Sequence, residues 1–416
     1  MEFIREKIKE KPIPKRRILM KIVTAALCGF VFSIVVLIMM RLFMPMMQDT
    51  TNTQKEENTE QESSQQETES HVTTEEMPNA EHVLVIPPDL SLSITDYQIL
   101  QDELYRIGNE VNTSIVTVTA ISTEDEDWSI NPFEIEGQGS GLIVSQDENY
   151  VYILTEKRIL SDAGHIRVMF VDNTGAVATM LKYDANTGLT ILTVEKSQLG
   201  ISTKNTISIA TMGSSYEMSN GSIVLALGSP LGANYSISTG NITSIQNKIA
   251  TQDKNYSVFT TDIIASENAS GVLANTKGEI VGIVLQSFRG SQDVNTLTAI
   301  EVDELKELVA VLCNGKDVPY MGVYISTVTE EISEEYEIPR GVYIKEVVSD
   351  SPAMLAGLQS GDIIVKVNGK NVAADSVFSE KISQLIPGTT CEIMVKRQNG
   401  NAYYDVICTV EIGVLK

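Results

Sequence analysis

Nine short runs rich in β-branched and aliphatic residues follow one another between residues 111 and 300, separated by Gly, Asn, Asp and Ser. They read "TSIVTVTAI", "SGLIVS", "VYILT", "IRVMFV", "LTILTVE", "SIVLAL", "SISTGNITSI", "SVFTTDII" and "EIVGIVLQ". Many short strands punctuated in this way predict a β-sandwich or barrel. Helical spacing brackets the region. "TDYQILQDELYRIGNEV" (95–111) sets Ile99, Leu100, Leu104 and Ile107 along one face, with Thr95 or Asp96 as the expected cap. "AIEVDELKELVAVLCNG" (299–315) reads as a helix ending at Gly315, and a second compact unit, 319–412, follows it.

Charge divides the N-terminal part of the chain. Residues 1–21 carry eight Lys/Arg and three Glu, whereas residues 48–82 carry ten acids and one lysine. Between them "IVTAALCGFVFSIVVLIMM" (22–40) holds no charge over nineteen residues, close to the ~20 needed to cross a bilayer. The basic flank precedes it, so the N-terminus is expected in the cytoplasm and the remainder outside. No small-residue cleavage site follows, which favours a retained anchor over a signal peptide. Residues 41–94 read as a disordered acidic stalk, poor in the apolar side chains that offset ordering entropy. A net charge of −24 argues against nucleic-acid binding. Three histidines and four cysteines, without CxxC or HxxxH spacing, suggest no metal site, and no cofactor is implied.

Four motifs then come in one order: "GQGSGLIV" (137–144), "ALGSPLG" (226–232), "STGNITSI" (238–245) and "NTKGEIVGI" (275–283). Together they resemble the trypsin-like domain of the HtrA family of serine proteases. The resemblance covers roughly 105–412. It implies a mainly β chain in which a trypsin-like double β-barrel (95–315) precedes an α+β PDZ domain (316–416), behind one N-terminal transmembrane helix.

The family's reaction needs a serine nucleophile, a histidine base and an aspartate that orients the histidine. The segments matching those positions are "TEKRIL" (155–160), "DANTGLTIL" (184–192) and "ENASGVL" (267–273), which put Arg158, Gly188 and Ala269 in the three places. Arginine stays protonated and is no base. Glycine has no carboxylate and alanine no hydroxyl. Glu267 stands where the resemblance implies a glycine whose N–H stabilises an oxyanion. Ser270 could attack only with a base, and Lys157 is a weak candidate for one. From these substitutions the chain is expected to lack catalytic residues and not to be an enzyme. It reads as a membrane-anchored, extracytoplasmic pseudoprotease of protein quality control, binding exported or unfolded polypeptides. An active serine endopeptidase with unorthodox residues and a structural scaffold of the cell envelope are the alternatives. Arg158 and Glu267 are expected to form an ion pair in the vacated site. The resemblance also implies a homotrimer.

"PYMGVYIS" (319–326), "RGVYIKEVVSDSPAMLAGLQSGDIIVKVNGKNV" (340–372) and "VFSEKISQLIPG" (377–388) resemble an HtrA-type PDZ domain. The resemblance implies that Tyr320, Met321, Gly322 and Val323 bind peptide C-termini. Backbone N–H groups at 321–323 would take the carboxylate, and the following strand would take the peptide backbone. Gly322 would keep side chains out of the carboxylate's path. Phe378, Ile382 and Leu385 are expected on the opposite wall. Finally, "CEIMVKRQNGNAYYDVIC" reads as a hairpin turning at Asn399–Gly400, which sets Cys391 opposite Cys408 and allows a disulfide.

Overall fold

The computed structural model of the protein describes residues 93–121, 138–160, 164–290, 295–400 and 402–415. These fall in one compact unit. The apolar segment 22–40 and residues 41–92 of the expected stalk lie outside the described residues, while Ser93 and Ile94 at its end belong to the start of a helix. Among those described, no helix is long and apolar enough to cross a membrane.

Helix α1 (Ile94–Asn112) opens on a capping box in which Ser93 Oγ accepts from Asp96 N and the Asp96 carboxylate accepts from Ser93 N. The cap is thus Ser93, not Thr95 or Asp96, because both halves of the box need the residue three before the acid. Six strands follow: β1 (Ile115–Ile121), β2 (Gln138–Gln146), β3 (Tyr150–Glu156), β4 (His165–Met169), β5 (Gly175–Tyr183) and β6 (Leu189–Glu195). They close into a barrel in the order β1-β2-β3-β6-β5-β4. Six more, β7 (Ile223–Ser229), β8 (Ser236–Ala250), β9 (Asn255–Ile264), β10 (Ser270–Ala274), β11 (Ile280–Leu285) and β12 (Thr296–Glu301), close a second barrel in the order β10-β11-β12-β9-β8-β7. Closure leaves no open sheet edge in either. Helix α2 (Val302–Cys313) continues directly from β12.

Each barrel has its own core, Val118, Ile153, Phe170 and Leu192 in the first and Phe259, Leu273, Val281 and Leu297 in the second. A third cluster welds the barrels together. Ile115, Leu142, Leu154 and Ile191 of the first pack with Leu225, Leu227, Val272 and Ile283 of the second, under Ile107 and Val111 of α1 and Leu305 and Leu312 of α2. Strands such as β7 and β11 are therefore buried on both faces and read as continuous apolar runs instead of alternating ones.

The C-terminal unit is built from β13 (Pro319–Tyr320), β14 (Val323–Val328), β15 (Gly341–Val347), β16 (Ile363–Val367), β17 (Lys370–Asn371), helix α3 (Asp375–Ser383), β18 (Thr390–Asn399), β19 (Ala402–Glu411) and β20 (Gly413–Val414). The main sheet runs β14-β15-β16-β18-β19, with β14 at its edge, and its core includes Ile325, Ile344, Phe378, Ile393 and Val410. The β18–β19 ladder closes on Asn399↔Ala402, so the turn lies one residue later than the sequence suggests, with Gly400 at φ +61°. Cys391 then faces Val410, Cys408 faces Ile393, and both thiols are free. The register moves by two residues, which keeps both cysteines on one face but sets them diagonally, beyond bonding reach.

At the seam of the second barrel, Gly271 (φ +135°) pairs with Gly228 (φ +110°). A Cβ on Gly271 would lie 2.0 Å from the Leu227 carbonyl oxygen, a backbone atom that no rotamer change can move. Gly271→Ala is expected to destabilise the protein by about 2–5 kcal/mol, combining positive-φ strain with overpacking. Urea unfolding measures it, and a loss near zero would show that β7 and β10 part easily.

Candidate functional site

Two sites emerge, one in the barrel cleft and one on the PDZ domain. In the first, β3 ends at Glu156 and a 3-10 turn (Lys157–Leu160) carries Arg158. Its guanidinium grips Glu156 with two bonds, Nε to Oε2 at 2.7 Å and Nη2 to Oε1 at 2.8 Å. Nη2 also donates to the carbonyls of Ala269 (3.0 Å) and Asn268 (3.3 Å). The carboxylate that Arg158 pairs with is thus Glu156, not Glu267, because a side chain two residues away at the end of β3 offers the bidentate geometry that arginine favours. Burial pushes the Glu156 carboxyl up, and Arg158 pulls it back down.

Gly188 sits in the left-handed region (φ +72°), and its carbonyl accepts from Lys157 N at 2.7 Å. The acid of that segment is Asp184, whose carboxylate is committed to Thr187 N (2.9 Å) and Thr187 Oγ1 (2.7 Å) in the same turn. Ala269 is fully buried, and its N–H donates to Ser266 O. Ser270, also buried, accepts from Ser140 N at 2.9 Å through Oγ. That bond leaves the hydroxyl proton available for donation. Lys157 does not turn toward Ser270; its Nζ stands 3.3 Å from the centre of the Tyr183 ring. The structure therefore brings together the segments carrying 158, 188 and 269. Beside them a cavity of about 410 Å³ is lined by Glu156, Arg158, Gly188, Thr251 and Phe288.

In the second site, the N–H groups of Met321, Gly322 and Val323 converge as the resemblance to a PDZ domain implies. They converge on a carboxylate of the chain itself. Asp253, in the turn between β8 and β9, accepts from Met321 N (2.6 Å), Gly322 N (2.9 Å) and Val323 N (3.0 Å). Its own N–H donates to Val323 O at 2.7 Å, and its carbonyl accepts from Ser379 Oγ at 2.7 Å. Gly322 (φ +92°) is needed for a different neighbour than the one expected, since a Cβ there would lie 2.4 Å from Ser351 Cβ. Phe378 and Ile382 belong to the domain core, so Asp375 and Ser379 are the α3 residues that contact the turn. Asp253 carries no motif. A polar hairpin turn, "TQDKN", is what the sequence offers there.

Residues 139–283 match the family described as Trypsin-like peptidase domain, and residues 319–407 match the PDZ domain. A probable periplasmic serine endoprotease, DegP-like, of Hahella chejuensis is 31% identical over 291 residues, 68% of this chain and 58% of that protein. Its counterpart in Halomonas elongata is 31% identical over 265 residues, 62% of this chain and 53% of that protein. The chain belongs to the HtrA family. It spans little more than half the length of these relatives. Among solved structures, the fold is shared with the HtrA-type protease AlgW with decapeptide, at TM-score 0.53 and 20% identity over 75% of this chain and 99% of that one. The serine endoprotease from Yersinia pestis superposes at TM-score 0.51 and 23% identity, over 75% of this chain and 98% of that one.

These relatives correct the expectation that the chain is not an enzyme. The two curated relatives named above are both described as probable periplasmic serine endoproteases. The expectation rested on Arg158, Gly188 and Ala269 alone.

Arg158→Met removes the cation against which Glu156 is buried. Arg158 is 37% exposed, so solvent screens part of the loss, and a destabilisation of about 1–3 kcal/mol is expected. Adding Glu156→Gln should recover part of it; a double variant no more stable than the single would count against the pair.

Asp253 predicts a pH signature. Burial pushes its carboxyl from 3.8 up to about 6, against the pull of the three N–H groups. The folded protein then holds this proton more tightly than the unfolded chain, so the group's contribution to stability falls as pH rises from about 4 to 6 and is level above. The unfolding free energy of the wild type minus that of Asp253→Asn, which does not titrate, should fall across that window. A difference that rises there would reverse the sign assigned to Asp253.

Proposed function

We propose that this chain is an extracytoplasmic HtrA-type serine endoprotease with unorthodox residues in its cleft, acting on exported or unfolded polypeptides and recognising their C-termini through the PDZ domain. The observation that carries the reading is the meeting of the segments holding Arg158, Gly188 and Ala269, Arg158 Nη2 with the Ala269 carbonyl and Lys157 N with the Gly188 carbonyl, with the buried hydroxyl of Ser270 next in the chain to Ala269. Ala269 has no hydroxyl, so the serine hydroxyl of that loop is Ser270 Oγ; Arg158 accepts no proton and Lys157 Nζ faces Tyr183, so attack through Ser270 passes its proton to an acceptor that bound substrate or water supplies. The periplasmic naming of the curated relatives supports the compartment. The basic flank and uncharged run at 22–40 support a single-pass anchor with a cytoplasmic N-terminus. Peptide capture is assigned to Tyr320, Met321, Gly322 and Val323, where the N–H cluster has the geometry to hold a carboxylate. The exposed Ile94, Tyr97, Ile99 and Leu100 of α1 support assembly with further copies, for which a homotrimer is the family arrangement.

Full-length protein incubated with unfolded casein is expected to cleave it, and Ser270→Ala to abolish the cleavage. Cleavage that survives Ser270→Ala would assign the nucleophile elsewhere. No cleavage by the wild type, beside an HtrA relative that digests the same sample, would overturn the endoprotease reading and leave polypeptide binding to be measured directly.

A further inference from the structure

The PDZ domain's N–H cluster at 321–323 is a small concavity of backbone donors, the kind of nest that holds an anionic oxygen pair. In this protein the nest is filled by a side chain. Both Asp253 oxygens are engaged, Oδ2 by Met321 and Gly322 and Oδ1 by Gly322 and Val323. A peptide C-terminus bound in the same place would present the same two oxygens.

The mimicry extends beyond the carboxylate. A peptide added to a sheet edge exchanges backbone bonds with it, and β14 is the edge strand. Along that edge Val323 O accepts from Asp253 N, and Ile325 O accepts from Asn255 Nδ2 at 3.4 Å. From the helix side, Ser379 Oγ donates to Asp253 O, and Asp375 Oδ2 accepts from Asn255 Nδ2 at 2.7 Å. The 253–255 turn is thus held by the loop, the strand and the helix that frame a peptide groove.

We infer that the β8–β9 turn is a resident ligand of the PDZ groove, and that a polypeptide C-terminus binds there only by displacing Asp253. The inference rests on the proposed reading of residues 320–323 as a C-terminus site. Two features make the turn displaceable. Asp253 holds φ +65°, a left-handed backbone that costs a non-glycine residue energy. Gln252 Oε1 and Asn255 Oδ1 are buried without a hydrogen-bond partner among the described residues, so release returns both to water. A cavity of about 300 Å³, lined by the turn and by Asp375, Ser379 and Ser383, adjoins it. The ligand's apparent affinity is then its intrinsic affinity reduced by the small fraction of molecules whose nest is open.

The test uses the full-length protein and a panel of fluorescent decapeptides ending in Ala, Val, Leu, Ile or Phe, each as free acid and as C-terminal amide. Asp253→Asn keeps the shape and tolerates the left-handed backbone; Asp253→Gly removes the side chain and keeps that backbone freedom. Both variants are expected to bind a free acid about tenfold or more tightly than the wild type does, with no gain for amides. Free acids preferred over amides with one affinity in all three proteins would overturn the inference and leave the C-terminus reading standing. Acids and amides bound alike in every protein, or no binding at all, would remove the reading and the inference with it. Should both variants misfold, wild-type hydrogen exchange decides. A saturating free acid is expected to speed exchange of the Asp253 amide, and unchanged exchange would overturn the inference.

Discussion

Three backbone N–H groups and one carboxylate join the barrels to the PDZ domain. Met321, Gly322 and Val323 direct their amides at Asp253, and Asp253 returns its own amide to Val323. Bonds to a charged acceptor are stronger than neutral ones, and burial raises the cost of leaving any of them unmade. Neighbouring contacts follow from this one. Ser379 reaches the Asp253 carbonyl, Asn186 Nδ2 donates to Gln252 O, and Thr251 in the same turn lines the barrel cleft. The segment holding Gly188 and the PDZ loop are therefore tied to adjacent residues of one short turn.

The barrel cleft is governed by a different economy of charge. Arg158 donates to two carbonyls and to a buried acid, so the carboxylate of Glu156 is paired where it is buried. Such an arrangement is neutral as a whole and fixed in place by bidentate geometry. Ser270 is held apart from it by the Ser140 amide, on the strand seam where Gly271 and Gly228 let two backbones approach. The tight packing at that seam places the Ser270 hydroxyl, and the tertiary contact with Ser140 orients it.

Much of this was legible in the chain. The β-rich runs became barrel strands, since their residues suit a pleated surface and their turns are marked by Gly, Asn and Asp. The four ordered motifs identified the family, and the segments matched to 158, 188 and 269 do meet in space. Other features were not legible. The partner of Arg158 is chosen by side-chain reach, which the sequence spacing of Glu156 and Glu267 does not rank. The β18–β19 register depends on which two residues make the turn, and Asn-Gly and Gly-Asn are both good turn pairs lying side by side at 399–401.

The sequence by itself determined the local and periodic properties: strands against helices, the glycines at close approaches, the loop whose amides converge at 321–323, and the residues present at each family position. Those properties depend on backbone preference and on neighbours a few residues away. The tertiary structure decided which acid fills the 321–323 nest and which pairs with Arg158. Asp253 lies about seventy residues from the amides it binds, in a turn whose sequence would serve as well facing solvent. A carboxylate meets such a nest only because barrel closure delivers that turn to the free edge of β14, and the long-range packing that does this leaves no signature in the turn itself.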